Sequence, residues 1–86
     1  MKDNLRQRSN SYIGDVIKDC LKSFGISQKE LARQMETSIS RLRSVMKGEM
    51  RIDDVFALKL ERGTGVSRSF WSGLQEKEDR QKRKTN

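Results

Sequence analysis

Apolar residues recur along this chain at helical spacing. Ile13, Val16, Ile17, Cys20, Leu21 and Phe24 form an i, i+3, i+4, i+7, i+8, i+11 series, which puts all six on one face of a first helix. Gly25 stops it, as the residue that best tolerates the left-handed backbone past a helix end. Ser27 and Glu30 have the spacing of a capping box, in which each side chain satisfies one orphaned N–H at a helix start. They open a second helix over 28–35, with Leu31, Ala32 and Met35 on its buried side. After a break at Glu36-Thr37, Ser38 can cap a third helix over 39–46, whose apolar positions are Leu42, Val45 and Met46. Gly48 ends that helix.

Asp53 is a good N-cap for a fourth helix, and Asp54 suits the dipole of its first turn. Val55, Phe56, Ala57 and Leu58 supply its buried side, and Gly63-Thr64-Gly65 breaks it. Ser67 caps a fifth helix bearing Phe70, Trp71 and Leu74. The pattern predicts an all-α fold of five short helices, consistent with the absence of proline. Residues 1–12 are polar and expected as a flexible arm, 13–75 as the folded domain, and 76–86 as a charged tail. In that tail the helix is expected to run on for a turn or two and then fray.

The second and third helices, with their three-to-four-residue turn, have the dimensions of a DNA-binding helix-turn-helix. Charge strengthens that expectation. The chain carries a net charge of +7 over 86 residues, which favours a polyanionic partner. Residues 13–75 carry an excess of +3, and residues 38–51 alone also carry +3, from Arg41, Arg43, Lys47 and Arg51 against Glu49. The excess of the folded part therefore sits on the third helix and the loop after it, where a randomly solvated surface would spread it.

Other chemistry is excluded or disfavoured. With one cysteine and no histidine, an internal disulfide is impossible and a zinc site is not expected. Cys20 falls in the apolar stripe of the first helix and reads as a small core residue. No cofactor is expected. The chain offers no activated nucleophile and no phosphate-cradling glycine loop, so an enzyme is not expected. The amino terminus lacks a signal-peptide apolar region and no run approaches membrane-spanning length, so the expected location is cytoplasmic.

The pattern resembles the lambda-repressor-type (Cro/XRE) helix-turn-helix domain over about 13–75. The words that carry the resemblance are SQKELARQM, the SxSRL starting at Ser38, and Lys47-Gly48. Further on, Arg51-Ile52, Ala57-Leu58-Lys59-Leu60, Gly65-Val66-Ser67 and Phe70-Trp71-x-x-Leu74-Gln75 are similar to the pattern of HigA-like antitoxins. The resemblance implies a repressor of its own operon, paired with an mRNA-cleaving toxin and acting as a homodimer. Glu36 departs from the family, which usually has glycine in this turn. A non-glycine residue there must adopt a left-handed conformation at a cost of about 1 kcal/mol, or the turn must be shaped differently.

If the third helix packs through Leu42 and Val45, its outer face shows Ile39, Ser40, Arg43, Ser44 and Lys47. Arg43 is the candidate for bidentate reading of guanine. Ser40 and Ser44 can reach a base or a phosphate. Ile39 has two readings: contact with a thymine methyl, or extension of the buried stripe. Gln28 and Ser38, each at a helix start, are candidate phosphate contacts, as are Arg41, Lys47 and Arg51. Trp71 and Phe70 close the core or form a dimer edge. Three binding functions remain open: an antitoxin repressor, a stand-alone phage, plasmid or chromosomal repressor, and an RNA-binding basic protein. The last explains net charge but not its concentration after Ser38, and the five aromatics lie mostly at core-like spacing, unlike the stacking platforms of single-strand binders.

Overall fold

The computed structural model describes residues 11–85, with side chains to Gln81. Five helices follow in order: α1 Tyr12–Phe24, α2 Gln28–Gln34, α3 Ile39–Met46, α4 Asp54–Thr64 and α5 Arg68–Thr85. The expected all-α architecture is the one observed. Of the expected 1–12 arm, 1–10 lie outside the described residues. Ser11 and Tyr12 belong to α1: Ser11 is its N-cap, and its Oγ accepts the Gly14 N–H at 2.9 Å.

One core joins all five helices. Ile13 and Ile17 of α1 meet Leu31, Ala32 and Met35 around α2, Leu42, Val45 and Met46 of α3, Ile52, Phe56, Ala57 and Leu60 of the α4 region, and Trp71 of α5. Trp71 is fully buried, and its indole N–H donates to the Val66 carbonyl at 3.1 Å, so the one polar atom of the ring is satisfied. Phe70 sits edge-on to Trp71 with its ring half outside the core. Two expected core residues prove exposed. Phe24 continues the α1 stripe but is 48% exposed, and Val55 in the first turn of α4 is 62% exposed. Periodicity names a helical face without saying where the neighbouring helices end.

The recognition-helix candidate α3 is seated against α1 by an approach too close for a side chain. A Cβ placed on Gly14 would fall against the carbonyl oxygen of Met46 and 2.9 Å from its carbonyl carbon. Backbone atoms cannot swing aside as a flexible side chain can. Glycine is therefore required at position 14 for packing and not for its φ.

The last helix runs on past Gln75 as expected, but further than a turn or two, to Thr85, and Glu78 within the expected solvated tail is buried. Its Oε2 accepts the Ser11 hydroxyl at 3.0 Å and the Ile13 backbone N–H at 2.8 Å. These are donors at the open N-terminus of α1, where the helix has no internal acceptors and its dipole favours a negative charge. Beside them Lys77 stands over the Tyr12 ring at 4.6 Å. The composition of this segment looks solvated because its apolar content is low. Its role is polar and long-range, and a periodicity analysis does not register that.

Three outcomes follow. Gly14→Ala is expected to destabilise by roughly 1–3 kcal/mol through forced displacement of α3, despite alanine's better helix propensity. Gly73→Ala, at an α5 position where an added methyl would meet nothing within 4 Å, is expected to stabilise by about 0.5–1 kcal/mol. Urea midpoints of the two variants check both signs. Glu78→Ala is expected to cost about 1–3 kcal/mol by leaving the Ile13 N–H without its acceptor, read in the same titration.

Candidate nucleic-acid interface

The turn between α2 and α3 sets the angle of the candidate interface. Ser27 Oγ accepts the Glu30 N–H at 3.1 Å, which is one half of the expected capping box. The Glu30 carboxylate instead accepts from Arg33 at 2.8 and 3.0 Å and from Gln34 at 3.2 Å. Hydrogen bonding to Arg33, then to Gln34, holds its carboxyl below the usual range. Glu36 takes φ 58°, so of the two readings of its departure from glycine the left-handed conformation is the one observed. The Glu36 N–H donates to Arg33 O and the Thr37 N–H to Ala32 O, each at 3.0 Å, the paired bonds of a Schellman ending. Lys59 of α4 then donates from Nζ to the carbonyls of Met35 at 3.4 Å and Glu36 at 3.1 Å. A basic side chain thus satisfies carbonyls that a helix end leaves open.

Ser38 caps α3, accepting the Arg41 N–H at 3.0 Å. The helix buries Leu42, Val45 and Met46 and turns Ser40, Arg43 and Lys47 fully outward, with Ser44 half-buried among them. Ile39 is half-buried and packed on the core, which favours its stripe reading over a wholly exposed apolar tip. Arg41 is exposed, but its guanidinium lies 5.8 Å over the Phe56 ring, leaning toward α4 and away from Arg43. Gly48, at φ 82°, ends the helix as expected.

Arg43 is oriented by the neighbouring helix. Its Nε donates to Gln28 Oε1 at 3.1 Å, fixing the plane of the guanidinium while its outer fork carries no other hydrogen bond among the described residues. Gln28 and Arg43, fifteen residues apart, thus meet at one site. They line an open cleft of about 320 Å³ together with Lys47, Lys18 and Asp15. Three cations against one acid make this the natural place for an anion. Lys18 was not among the expected site residues, because on sequence alone it reads as one end of solvated i,i+4 pairs on α1. Its proximity to Lys47 comes from the Gly14 approach and has no local sequence signal.

Arg51 lies elsewhere. Its Nε and Nη2 donate to the two carboxylate oxygens of Asp79 on α5, at 3.2 and 2.5 Å. Hydrogen bonding to that carboxylate raises the Arg51 pKa further. The expected phosphate contact is therefore already engaged in a two-point fork within the protein.

A sequence model of the helix-turn-helix family matches residues 17–71, well over half of the chain. The chain belongs to the helix-turn-helix family. The matched span contains α2, the Glu36 turn, α3 and α4 and ends at Trp71, so this Cro/XRE-type helix-turn-helix is a DNA-binding transcriptional regulator. No curated protein matches the chain significantly in sequence. No helix among the described residues is long and apolar enough to cross a membrane.

The strained turn yields two outcomes. Glu36→Gly relieves a left-handed non-glycine residue but frees the unfolded chain, so the net gain is expected to lie between zero and about 1 kcal/mol. Lys59→Met removes the only side-chain donors to the Met35 and Glu36 carbonyls among the described residues and is expected to cost about 1 kcal/mol. Thermal midpoints of both variants and of their combination check these signs.

Proposed function

We propose that this helix-turn-helix regulator is a repressor whose α3 enters the major groove of an operator. Arg43 reads a guanine edge, and Ser40 and Ser44 contact neighbouring bases or phosphates. Gln28, Lys47 and Ser38 hold the phosphate backbone, with Arg41 as a flanking charge and Ile39 at the margin against a thymine methyl. The observation that carries this reading is the Gln28–Arg43 hydrogen bond. It presents a planar, two-point donor on an exposed helical face without further ordering, the geometry that matches guanine O6 and N7. Lys18 joins the phosphate-holding set because it lines the same cleft.

The repressor acts as a homodimer on a palindromic operator, its two recognition helices one helical turn of DNA apart. It is also the antitoxin of a toxin–antitoxin pair, silencing its own operon. The support for this finer assignment is the similarity of 51–75 to the HigA-like pattern. Structurally, Trp71 and Gln75 of that pattern are buried and Phe70 is exposed, so part of its signal reflects core packing.

The test is a binding titration with duplex DNA from upstream of the protein's own reading frame, beside a shuffled duplex at the same salt. A preference of about 10³-fold or more is expected; equal affinities would reject operator recognition. For the antitoxin role, the product of the adjacent reading frame should co-purify with the protein and be inactivated by it. A neighbour that does neither leaves a stand-alone repressor. Arg43→Ala is expected to cost about 1–3 kcal/mol on the operator and little on random DNA. Lys47→Ala should weaken both alike and lower the salt slope by about 1.

A further inference from the structure

Gln75, Glu78 and Asp79 lie at i, i+3, i+4 spacing and so share one face of α5. Glu78 serves the start of α1. The other two face the loop that follows α3. Gln75 Oε1 accepts the Ile52 backbone N–H at 2.9 Å, and Gln75 Nε2 donates to Asp79 Oδ1 at 3.0 Å. Asp79 in turn receives both donors of the Arg51 fork. Since Arg51 and Ile52 are bonded neighbours, these four residues close a ring: guanidinium, carboxylate, amide and backbone N–H.

The ring has one polarity. Reversing the Gln75 amide would set its NH2 against the Ile52 N–H and its oxygen against a carboxylate, so every member fixes the orientation of the next. Gln75 is only 4% exposed, so its hydrogen bonds are shielded from competing water. An exposed ion pair by itself contributes little. Here the pair is tied to a buried amide and to the main chain, and withdrawing Arg51 would strip Asp79 of both fork bonds.

We propose that Asp79, acting through Gln75, is a positioning residue for DNA recognition: it anchors the 47–53 loop by Arg51 and Ile52, and Arg51 is withheld from the phosphate backbone. This rests on the reading that α3 carries the DNA-binding face. Lys47, the C-cap of α3, opens that loop, and the ring holds the loop's other end.

The experiment uses the full chain and a duplex selected by that chain from a random pool. Wild type, Asp79→Asn, Arg51→Ala, Arg51→Lys and the Asp79→Asn/Arg51→Ala pair are compared across salt concentrations. Each single variant is expected to lose roughly three- to tenfold in affinity for the selected duplex, and the double no more than the worse single, as for residues acting through one contact. The salt slope of Arg51→Ala should equal that of wild type. Arg51→Lys should not rescue, because an ammonium keeps the charge but not the planar fork. A lysine that restores binding, or a slope lowered by about 1 in Arg51→Ala, would overturn the proposal by making Arg51 a phosphate contact, and tighter binding by Asp79→Asn would overturn the positioning role of Asp79. Amide exchange on the free protein supplies a readout that needs no DNA. The Ile52 N–H should exchange faster in Asp79→Asn and in Arg51→Lys, and unchanged exchange in both would overturn the ring. If wild type prefers no duplex, the DNA reading fails while the exchange result still decides the anchor.

Discussion

The seat of α3, the proposed recognition helix, is a backbone-to-helix contact at Gly14, where the main chain of α1 lies against the carbonyl of Met46. The placement of α1 at the candidate interface depends on it. The contact brings Lys18 to the cleft shared by Gln28, Arg43 and Lys47, and it lets Ile13 and Ile17 reach the core beside Leu42 and Val45. Helix α1 is held in turn at its own start, where Ser11 and Glu78 accept backbone N–H groups that a helix cannot satisfy internally. Support thus passes from the far half of α5 to α1 and from α1 to α3, though α5 places no residue of its own on the proposed DNA-reading face.

The turn between α2 and α3 is held by a different device. Most residues resist φ near +60°, yet Glu36 adopts it. The strain is offset by two Schellman hydrogen bonds and by Lys59 reaching back from α4. One consequence is that α4 has a polar as well as an apolar role. Phe56, Ala57 and Leu60 fill the core while Lys59, on the same helix, clamps the turn.

The helices were legible in the sequence because their determinants are local. Ser27, Ser38 and Asp53 cap as their side-chain chemistry dictates, Gly25 and Gly48 terminate, and the left-handed conformation of Glu36 is one of the two readings that the resembling family's glycine implied. What was not legible depends on residues far apart in the chain. Gly14 carries no mark that distinguishes it from a helix-weakening glycine. Glu78 and Asp79 look like members of a solvated charge run, and only the docking of α5 reveals their partners at Ile13 and Arg51. Trp71 and Phe70 are adjacent and equally apolar, and the fold alone decides which one is buried. At the candidate site the same division holds. The outward face of α3 is a matter of helical phase and was legible, while the Gln28–Arg43 bond, the addition of Lys18 and the diversion of Arg51 to Asp79 are tertiary.

The proposed DNA-binding face is the outer side of α3 together with the cleft it shares with α1 and α2. Chemical-shift mapping of the full chain titrated with its selected duplex tests this most directly. The largest changes are expected on residues 38–47 and on Gln28 and Lys18, with the side-chain signals of Arg43 shifting most and those of Phe70 and Val55 little affected. Changes concentrated on the exposed side of α4 or the far end of α5, with Arg43 and Gln28 undisturbed, would contradict it.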